Sequence, residues 1–177
     1  MKKNLLPLLV VVFCLLSRTT ALGQETLVSV DFKIKNLGIN VDGRFNTASI
    51  TTNFKSDDYT QWYLEGHVVV NTIDTDNRAR DEHLLEEDYF DAVNYPRITL
   101  QSKSFKKTSI NTYDVTVDLS IKGIKKTISI PVEIIGTNES FILKSSFQIN
   151  RKDFNVGGGS LILSSKVNIN VNYKFNS

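Results

Sequence analysis

An all-β, antiparallel barrel of about eight strands with one short amphipathic helix is the fold class that this sequence favours. The first observation is strict alternation of apolar and polar residues, which is clearest over residues 166–175. The second is that short turns, such as the one at Gly123, separate the alternating runs without any βαβ rhythm. The third is a single stretch with a helical rhythm, residues 80–96. Alternation places one face of each strand in a core and the other in water, which is typical of antiparallel sheets.

The strands follow from the alternation in chain order. The clearest runs are residues 28–35, 115–122, 128–134 and 166–175. Residues 136–138 are predicted to form a hairpin connection, and residues 56–58 break the chain before an apolar run at 62–73. Long strands joined in a meander tend to close into a barrel, because closure removes their exposed edges.

The helical stretch is predicted to begin near Asp76 or Asn77, since either side chain can cap a helix. Four apolar side chains share its inner side: Leu85, Tyr89, Phe90 and Val93. The stretch must end at Tyr95, because the residue before a proline is pushed out of the helical region. The acidic residues fall mostly on the other side, so the sequence predicts a short helix packed against the barrel.

The first 23 residues have the features of a cleaved signal peptide. Lys2 and Lys3 precede an apolar run, residues 5–16, that is too short to cross a bilayer, and small residues lead up to Gly23. We therefore expect residues 24–177 to be one exported domain, periplasmic or secreted, with no transmembrane segment. The chain's one cysteine, Cys14, lies within the leader, so no disulfide is expected in the mature domain.

Removing the leader changes the charge balance. The full chain has 21 basic and 19 acidic residues, and the leader contains three of the basic ones and no acid. The remaining 18 basic against 19 acidic residues give a net charge of −1. A near-neutral surface with mixed charges lacks the basic patch that is typical of nucleic-acid-binding proteins.

The alternating strands supply many candidate inward residues for a ligand-binding lumen. These are Phe32, Phe45, Trp62, Leu64, Val68, Val70, Leu100, Val117, Leu119, Ile130, Phe141, Phe147, Ile169 and Val171. They could line a tube for an apolar chain or form an ordinary packed core, and alternation does not separate the two. A tube would bind a long apolar chain without any catalytic group, since each buried methylene contributes about 0.8 kcal/mol.

The acid-rich helix could in principle hold an acid/base pair built on Asp81 and His83. Residues two apart on a helix do not face each other, and no nucleophile motif accompanies them. We therefore expect Arg80, Asp81 and His83 to hold the helix in place, and no catalytic residue. His67 and His83 are the only histidines and lack a metal-ligand spacing, so no metal and no cofactor are expected.

Three consecutive glycines at 157–159 follow two cations, Arg151 and Lys152. The glycines lack the residues of a phosphate-binding P-loop, so a flexible loop or bulge is the ordinary interpretation. We nevertheless expect Arg151 and Lys152 to hold an anionic headgroup at the mouth of the barrel.

An ordered set of short motifs resembles the YceI-like family over essentially the whole mature chain. They are Phe32-Lys33-Ile34, Leu37-Gly38, residues 41–45, residues 72–75, Arg80-Asp81, His83-Leu84, residues 88–91, Tyr95-Pro96, residues 119–123 and residues 151–154. The resemblance implies a lipocalin-like barrel that binds a long isoprenoid or similar amphiphile, such as a polyprenyl phosphate or a quinone. Asn36 and Asn155 depart from the family pattern, where histidine and glycine are common.

These observations together favour an exported carrier of a hydrophobic small molecule that catalyses nothing. Two alternatives stay open: an enzyme acting on such a lipid at the barrel mouth, and an envelope stress protein with a filled core. A small outer-membrane barrel is disfavoured, because the charged helix interrupts the meander and the aromatic residues do not form the two belts found at the membrane interfaces of such barrels. A homodimer is also left open.

Overall fold

The computed structural model describes residues 27–54, 58–137 and 139–176. The predicted leader and residues 56–57 of the predicted chain break lie outside these ranges. The strands are β1 Leu27–Asn36, β2 Ile39–Phe45, β3 Ala48–Thr52, β4 Leu64–Val69, β5 Ile73–Asp74, β6 Arg97–Lys107, β7 Thr112–Ile121, β8 Ile124–Gly136, β9 Ser140–Asn150 and β10 Leu163–Asn176. One α-helix, α1 Arg78–Leu84, and three 3-10 turns, Tyr59–Gln61, Val70–Thr72 and Arg151–Phe154, join them.

All ten strands form one antiparallel sheet in the order β3-β4-β6-β7-β8-β9-β10-β1-β2-β5. The first and last strands of this order, β3 and β5, continue β2 and β4 respectively. Strands β2–β3 and β4–β5 therefore form one long hairpin that joins the two edges of the sheet. The pairing Phe45 with Ile73 is followed by Ala48 with Val68, so both halves keep one antiparallel alignment. Counted this way, eight long strands close into a ring, which confirms the predicted antiparallel barrel.

Two short interruptions explain why the eight long strands appear as ten. Residues 46–47 leave the β2–β3 ladder, and the 3-10 turn Val70–Thr72 separates β4 from β5. Backbone hydrogen bonds bridge the break from Asn46 N to Thr72 O (3.0 Å) and from Val69 N to Thr47 O (3.0 Å). The hairpin therefore bends without opening the ring.

An ion pair reinforces this bend. The Arg44 guanidinium on β2 donates to the Asp74 carboxylate on β5 at 2.7 Å (Nη2 to Oδ2). The pKa of Asp74 lies below its usual range because it accepts a hydrogen bond from the Asp76 backbone N–H and another from Arg44. Its negative charge therefore helps to keep the two strands together.

The two ends of the barrel differ. The end that we call the α1 end carries α1, the 3-10 turn Arg151–Phe154, and the β1–β2 and β7–β8 turns. The opposite end is filled by aromatic side chains packed on the core, which we call the aromatic plug: Phe54, Tyr59, Trp62, Phe105, Tyr113, Phe141, Tyr173 and Phe175. Any opening into the interior must therefore lie towards the α1 end.

Helix α1 begins as predicted, with the Asn77 side chain accepting from the Arg80 backbone N–H. It ends at Leu84, well before Pro96, so the predicted length was wrong. Residues 86–88 are three consecutive acids, and negative charge at a helix C-terminus opposes the helix dipole. The chain continues as turns in which Phe90 packs inward, whereas Val93 is 91% exposed.

No helix within the described ranges is long and apolar enough to cross a membrane. Those same ranges contain no group of three or more His, Cys, Asp or Glu side chains placed to hold a metal ion.

Gly43 on β2 makes room for an aromatic ring. Its register partner is Phe32 on β1, and a Cβ at Gly43 would collide with the Phe32 ring, Cε2 of which would lie 2.7 Å away. We expect Gly43→Ala to lower the free energy of unfolding by about 1–3 kcal/mol, because the ring must leave its position. Urea denaturation followed by tryptophan fluorescence measures this effect.

A matched control is Gly66→Ala on β4. A Cβ there would meet its nearest neighbours at 3.5 and 3.6 Å, which is ordinary contact. This variant should be neutral, or more stable by up to about 1 kcal/mol, because alanine restricts the unfolded chain. Equal effects of the two substitutions would contradict the steric explanation.

Candidate ligand-binding cavity

The barrel interior contains two neighbouring cavities. The larger, about 550 Å³, lies at the α1 end, and the smaller, about 120 Å³, lies deeper among the strands. Five residues border both: Phe45, Ile98, Ile121, Ile149 and Ile169. The order along the barrel is therefore the α1 end, the larger cavity, the smaller cavity and the aromatic plug.

Ten of the fourteen predicted lumen residues border these cavities. Phe32 borders the larger one, Phe45 and Ile169 border both, and the rest border the smaller one: Leu64, Val68, Leu100, Leu119, Ile130, Phe147 and Val171. Four border neither cavity: Trp62, Val117 and Phe141 belong to the packed core near the plug, and Val70 is buried in the turn between β4 and β5. Whether any of them contacts a ligand stays a prediction.

Several residues of the larger cavity were not predicted. Ile34, Ile121, Ile149 and Val167 lie two positions from predicted residues on the same strand faces, so the same alternation could have found them. Phe90, Phe154 and Val156 also border the cavity, but they come from turns and loops. Periodicity carries no information about such residues, because their direction depends on how the loops fold back.

Arg80 and Asp81 both bind Thr75, the residue that follows β5. The Arg80 guanidinium donates to Thr75 Oγ1 at 2.7 Å and to the Thr75 carbonyl oxygen at 2.5 Å. The Asp81 carboxylate accepts from the Thr75 N–H at 2.9 Å and from its hydroxyl at 2.5 Å. Thr75 is 4% exposed, so this network fixes α1 over the barrel end from a buried anchor.

His83 makes a different set of contacts. Its Nδ1 lies 2.7 Å from the Glu86 carboxylate, and its ring packs edge-on against Tyr89 with centroids 4.8 Å apart. The Asp81 carboxylate is held by Thr75, so Asp81 and His83 are not an acid/base pair in this arrangement. Arg80, His83 and Tyr89 all border the larger cavity.

Arg151 is buried at the edge of the same cavity, with 3% of its surface exposed. Its guanidinium donates to four backbone carbonyls, those of Val156 (2.6 Å), Ser164 (2.8 Å), Leu163 (3.0 Å) and Gly158 (3.2 Å). Burial lowers the pKa of the guanidinium from its ordinary value. Its neighbour Lys152 is exposed and is not part of the cavity wall.

The charged groups of the larger cavity's wall are the guanidinium groups of Arg80 and Arg151. The wall also includes the imidazole of His83, and no carboxylate of the described residues. Both arginines donate to neutral oxygens, and neither forms an ion pair within the described ranges. Such a wall favours a negative or strongly polar group, since a poorly compensated cation in a low-dielectric site attracts an anion.

The Asn36 amide adds a further polar group to the cavity wall. Its Oδ1 is buried and has no hydrogen-bond partner among the described residues. Asn36, which departs from the expected family pattern, thus lies at the polar end of the cavity.

The fold and cavity define a class: a closed antiparallel barrel with an apolar interior, plugged at one end and polar at the other. A YceI-like domain model matches residues 24–175. The chain therefore belongs to the YceI-like family, as its motifs predicted.

Three known proteins illustrate the relationship. A UPF0312 protein of Vibrio parahaemolyticus is 31% identical over 109 residues, which cover 61% of this chain and 58% of that relative. The crystal structure of BcnA from Burkholderia cenocepacia has a TM-score of 0.79 and 25% identity, covering 83% of this chain and 95% of BcnA. A polyisoprenoid binding domain from Saccharophagus degradans, implicated in plant cell wall breakdown, has a TM-score of 0.68 at 13% identity, covering 85% and 94%. This last likeness concerns the fold alone.

Proposed function

We propose that this protein is an exported carrier that holds a long-chain isoprenoid lipid, or a similar amphiphile such as a quinone, in its barrel. The observation that carries the proposal is the larger cavity, which is apolar towards the barrel centre and cationic at the α1 end. The tail would enter past Phe45 and Ile169 towards the smaller cavity, and the polar end would stay near Arg80 and Arg151. The polyisoprenoid binding domain of Saccharophagus degradans, which has the same fold, supports this choice of ligand class.

Burial of the tail would supply most of the binding free energy. Each methylene removed from water contributes about 0.8 kcal/mol, and the residues that separate the two cavities are all apolar. No chemical step is needed for such a role, so we propose a binding protein rather than an enzyme. Carriage, storage or protection of the lipid would all use the same cavity.

Purification of the chain from Gln24, followed by native mass spectrometry and organic extraction, tests the proposal directly. We expect a co-purified lipid, or uptake of added prenyl alcohols with an affinity that rises with chain length. A protein that is empty after purification and takes up no prenyl lipid would refute the carrier role. Turnover of a prenyl substrate that is lost in His83→Ala would instead support the enzyme alternative.

The cationic wall leads to a prediction about the headgroup. A prenyl phosphate should bind more tightly than the prenyl alcohol of equal length, and added salt should reduce the difference. Arg80→Gln should reduce the preference by about tenfold, because it removes one of the two guanidinium groups near the phosphate. The ratio of the two dissociation constants is the measurement, since a loosened helix would weaken both ligands alike.

Arg78→Gln is the matched control for Arg80→Gln. Arg78 is on the same helix, but its side chain is 92% exposed and pairs with Glu82 at 2.8 Å, away from the cavity. It should leave the ratio unchanged. If both variants, or neither, change the preference for phosphate, Arg80 does not hold the headgroup.

A further inference from the structure

Among the large apolar side chains that face solvent at the α1 end, four lie on two neighbouring segments. Leu37 is 69% exposed, Ile39 71%, Leu161 101% and Ile162 54%. They come from two separate segments, the β1–β2 turn and the loop before β10, which a hydrogen bond from Leu37 N to Ile162 O joins at 2.9 Å. The four residues therefore form one patch, which we call the apolar rim.

The turn at the rim has an unfavourable residue for its shape. Leu37 has φ of 50° and Gly38 has φ of 80°, the pattern of a hairpin turn in which Asn-Gly is strongly preferred. A leucine is strained in this left-handed region and gains nothing there from burial. Neither the stability of the turn nor the packing of the core accounts for Leu37, which is consistent with a contact outside the chain.

The rim lies at the entrance of the larger cavity. Asn36 precedes Leu37, Val41 follows Ile39 after one residue, and Leu163 follows Ile162, and all three border that cavity. The rim residues are thus sequence neighbours of residues that form the cavity wall. Isolated exposed apolar residues are ordinary, but a contiguous patch beside a cavity marks an interaction surface.

Exposed cations surround the rim. Lys35 lies at the end of β1, Lys152 in the 3-10 turn before the loop and Lys166 on β10 after it, and none forms an ion pair within the described part of the chain. The nearby acid Asp42 pairs with Lys33 at 3.0 Å, whereas the Asn150 amide that donates to Asp153 at 3.2 Å is neutral and offsets none of its charge. Three lysines against this one acid leave a positive balance. An apolar patch with a positive border matches the surface of a bilayer that contains anionic lipids.

We propose that the apolar rim docks the barrel, mouth first, on an anionic lipid bilayer. The four side chains enter the region between headgroups and acyl chains while the lysines contact the headgroups. This step rests on the proposed carrier function: docking lets a lipid pass between bilayer and cavity without crossing water. The docking itself requires no bound ligand and is measured separately.

Co-sedimentation of the chain from Gln24 with vesicles tests the proposal. The vesicles contain phosphatidylcholine either alone or mixed equally with phosphatidylglycerol. The parent should bind the mixed vesicles more tightly, and added salt should weaken that binding. A Leu37→Asn, Leu161→Asn variant should lose at least about tenfold in affinity, because two apolar side chains no longer leave water.

The substitution at Leu37 separates docking from folding. Asparagine is favoured in this turn, so the variant should have a thermal midpoint equal to or above that of the parent. The matched control is Ile110→Asn, because Ile110 is 79% exposed between β6 and β7 at the opposite end of the barrel. It should bind vesicles like the parent.

Three results would overturn the docking proposal. The first is that the parent binds neither kind of vesicle, and the second is that the rim variant binds as tightly as the parent. The third is a dimer of the parent in sedimentation velocity that the rim variant abolishes, because the rim would then be a contact between two copies. Uptake of a prenyl alcohol from detergent solution tests the carrier function independently. The rim variant should keep that uptake. If the parent takes up no prenyl alcohol but still binds vesicles, the carrier function is refuted and the docking proposal stands.

Discussion

An Arg151→Met variant is expected to lose about 3 kcal/mol or more of its free energy of unfolding. The methionine fills most of the same volume but donates no hydrogen bond, so the four carbonyls that Arg151 contacts lose their partner. These carbonyls belong to the loop and strand start that form one side of the larger cavity. Urea denaturation measured by circular dichroism gives the loss directly.

Two substitutions delimit the cause of that effect. Lys152→Met removes the neighbouring exposed cation and should change stability by no more than about 0.5 kcal/mol. Arg151→Lys keeps the positive charge but replaces a planar fork of five donors by a compact ammonium group, so it should lose most of the same stability. If Arg151→Lys is as stable as the parent, charge rather than the hydrogen-bond fork stabilises the loop.

An Ile169→Trp variant is expected to lose at least about tenfold in affinity for a long prenyl alcohol. Ile169 on β10 borders both cavities, so an indole at this position fills part of the larger cavity and blocks the way to the smaller one. The open volume receives the larger side chain, which limits the change in stability to about 1.5 kcal/mol. Titration with a fluorescent prenyl analogue measures the affinity.

Two controls accompany this variant. Asn172→Trp places the same side chain on the outer face of β10 and should leave affinity unchanged. Ile169→Ala should keep the uptake, because it widens the passage, even though it removes buried contacts. Unchanged affinity in Ile169→Trp would show that the ligand does not pass this position.

The strands were predictable because barrel residues alternate locally. The alternation from Val167 to Phe175 predicts which side chains point inward without information about the partner strands. In the structure, β10 pairs with β9 and β1 along this run. The bend between β2 and β3 had no comparable signal. It depends on hydrogen bonds from residues 46–47 to residues 69 and 72, more than twenty positions away.

The candidate site was predictable only in part, for the same reason. Ile169 and Phe32 follow from strand alternation, whereas Phe154 and Val156 border the cavity because a loop folds back over the barrel end. Val93 shows the reverse case, since its helical spacing predicted packing and the early end of α1 leaves it exposed. Spacing is informative only as far as the regular element extends.

The sequence by itself determined the antiparallel barrel, its family, a helix start near Asp76 or Asn77 and the apolar character of the interior. Each of these depends on residues close together in the chain or on one repeating pattern. Only the tertiary structure decided that Arg151 is buried while Lys152 faces water, and that Leu37 and Ile162 meet beside the cavity. The physical reason is that burial and exposure in loops are set by distant backbone segments, which the local pattern does not specify.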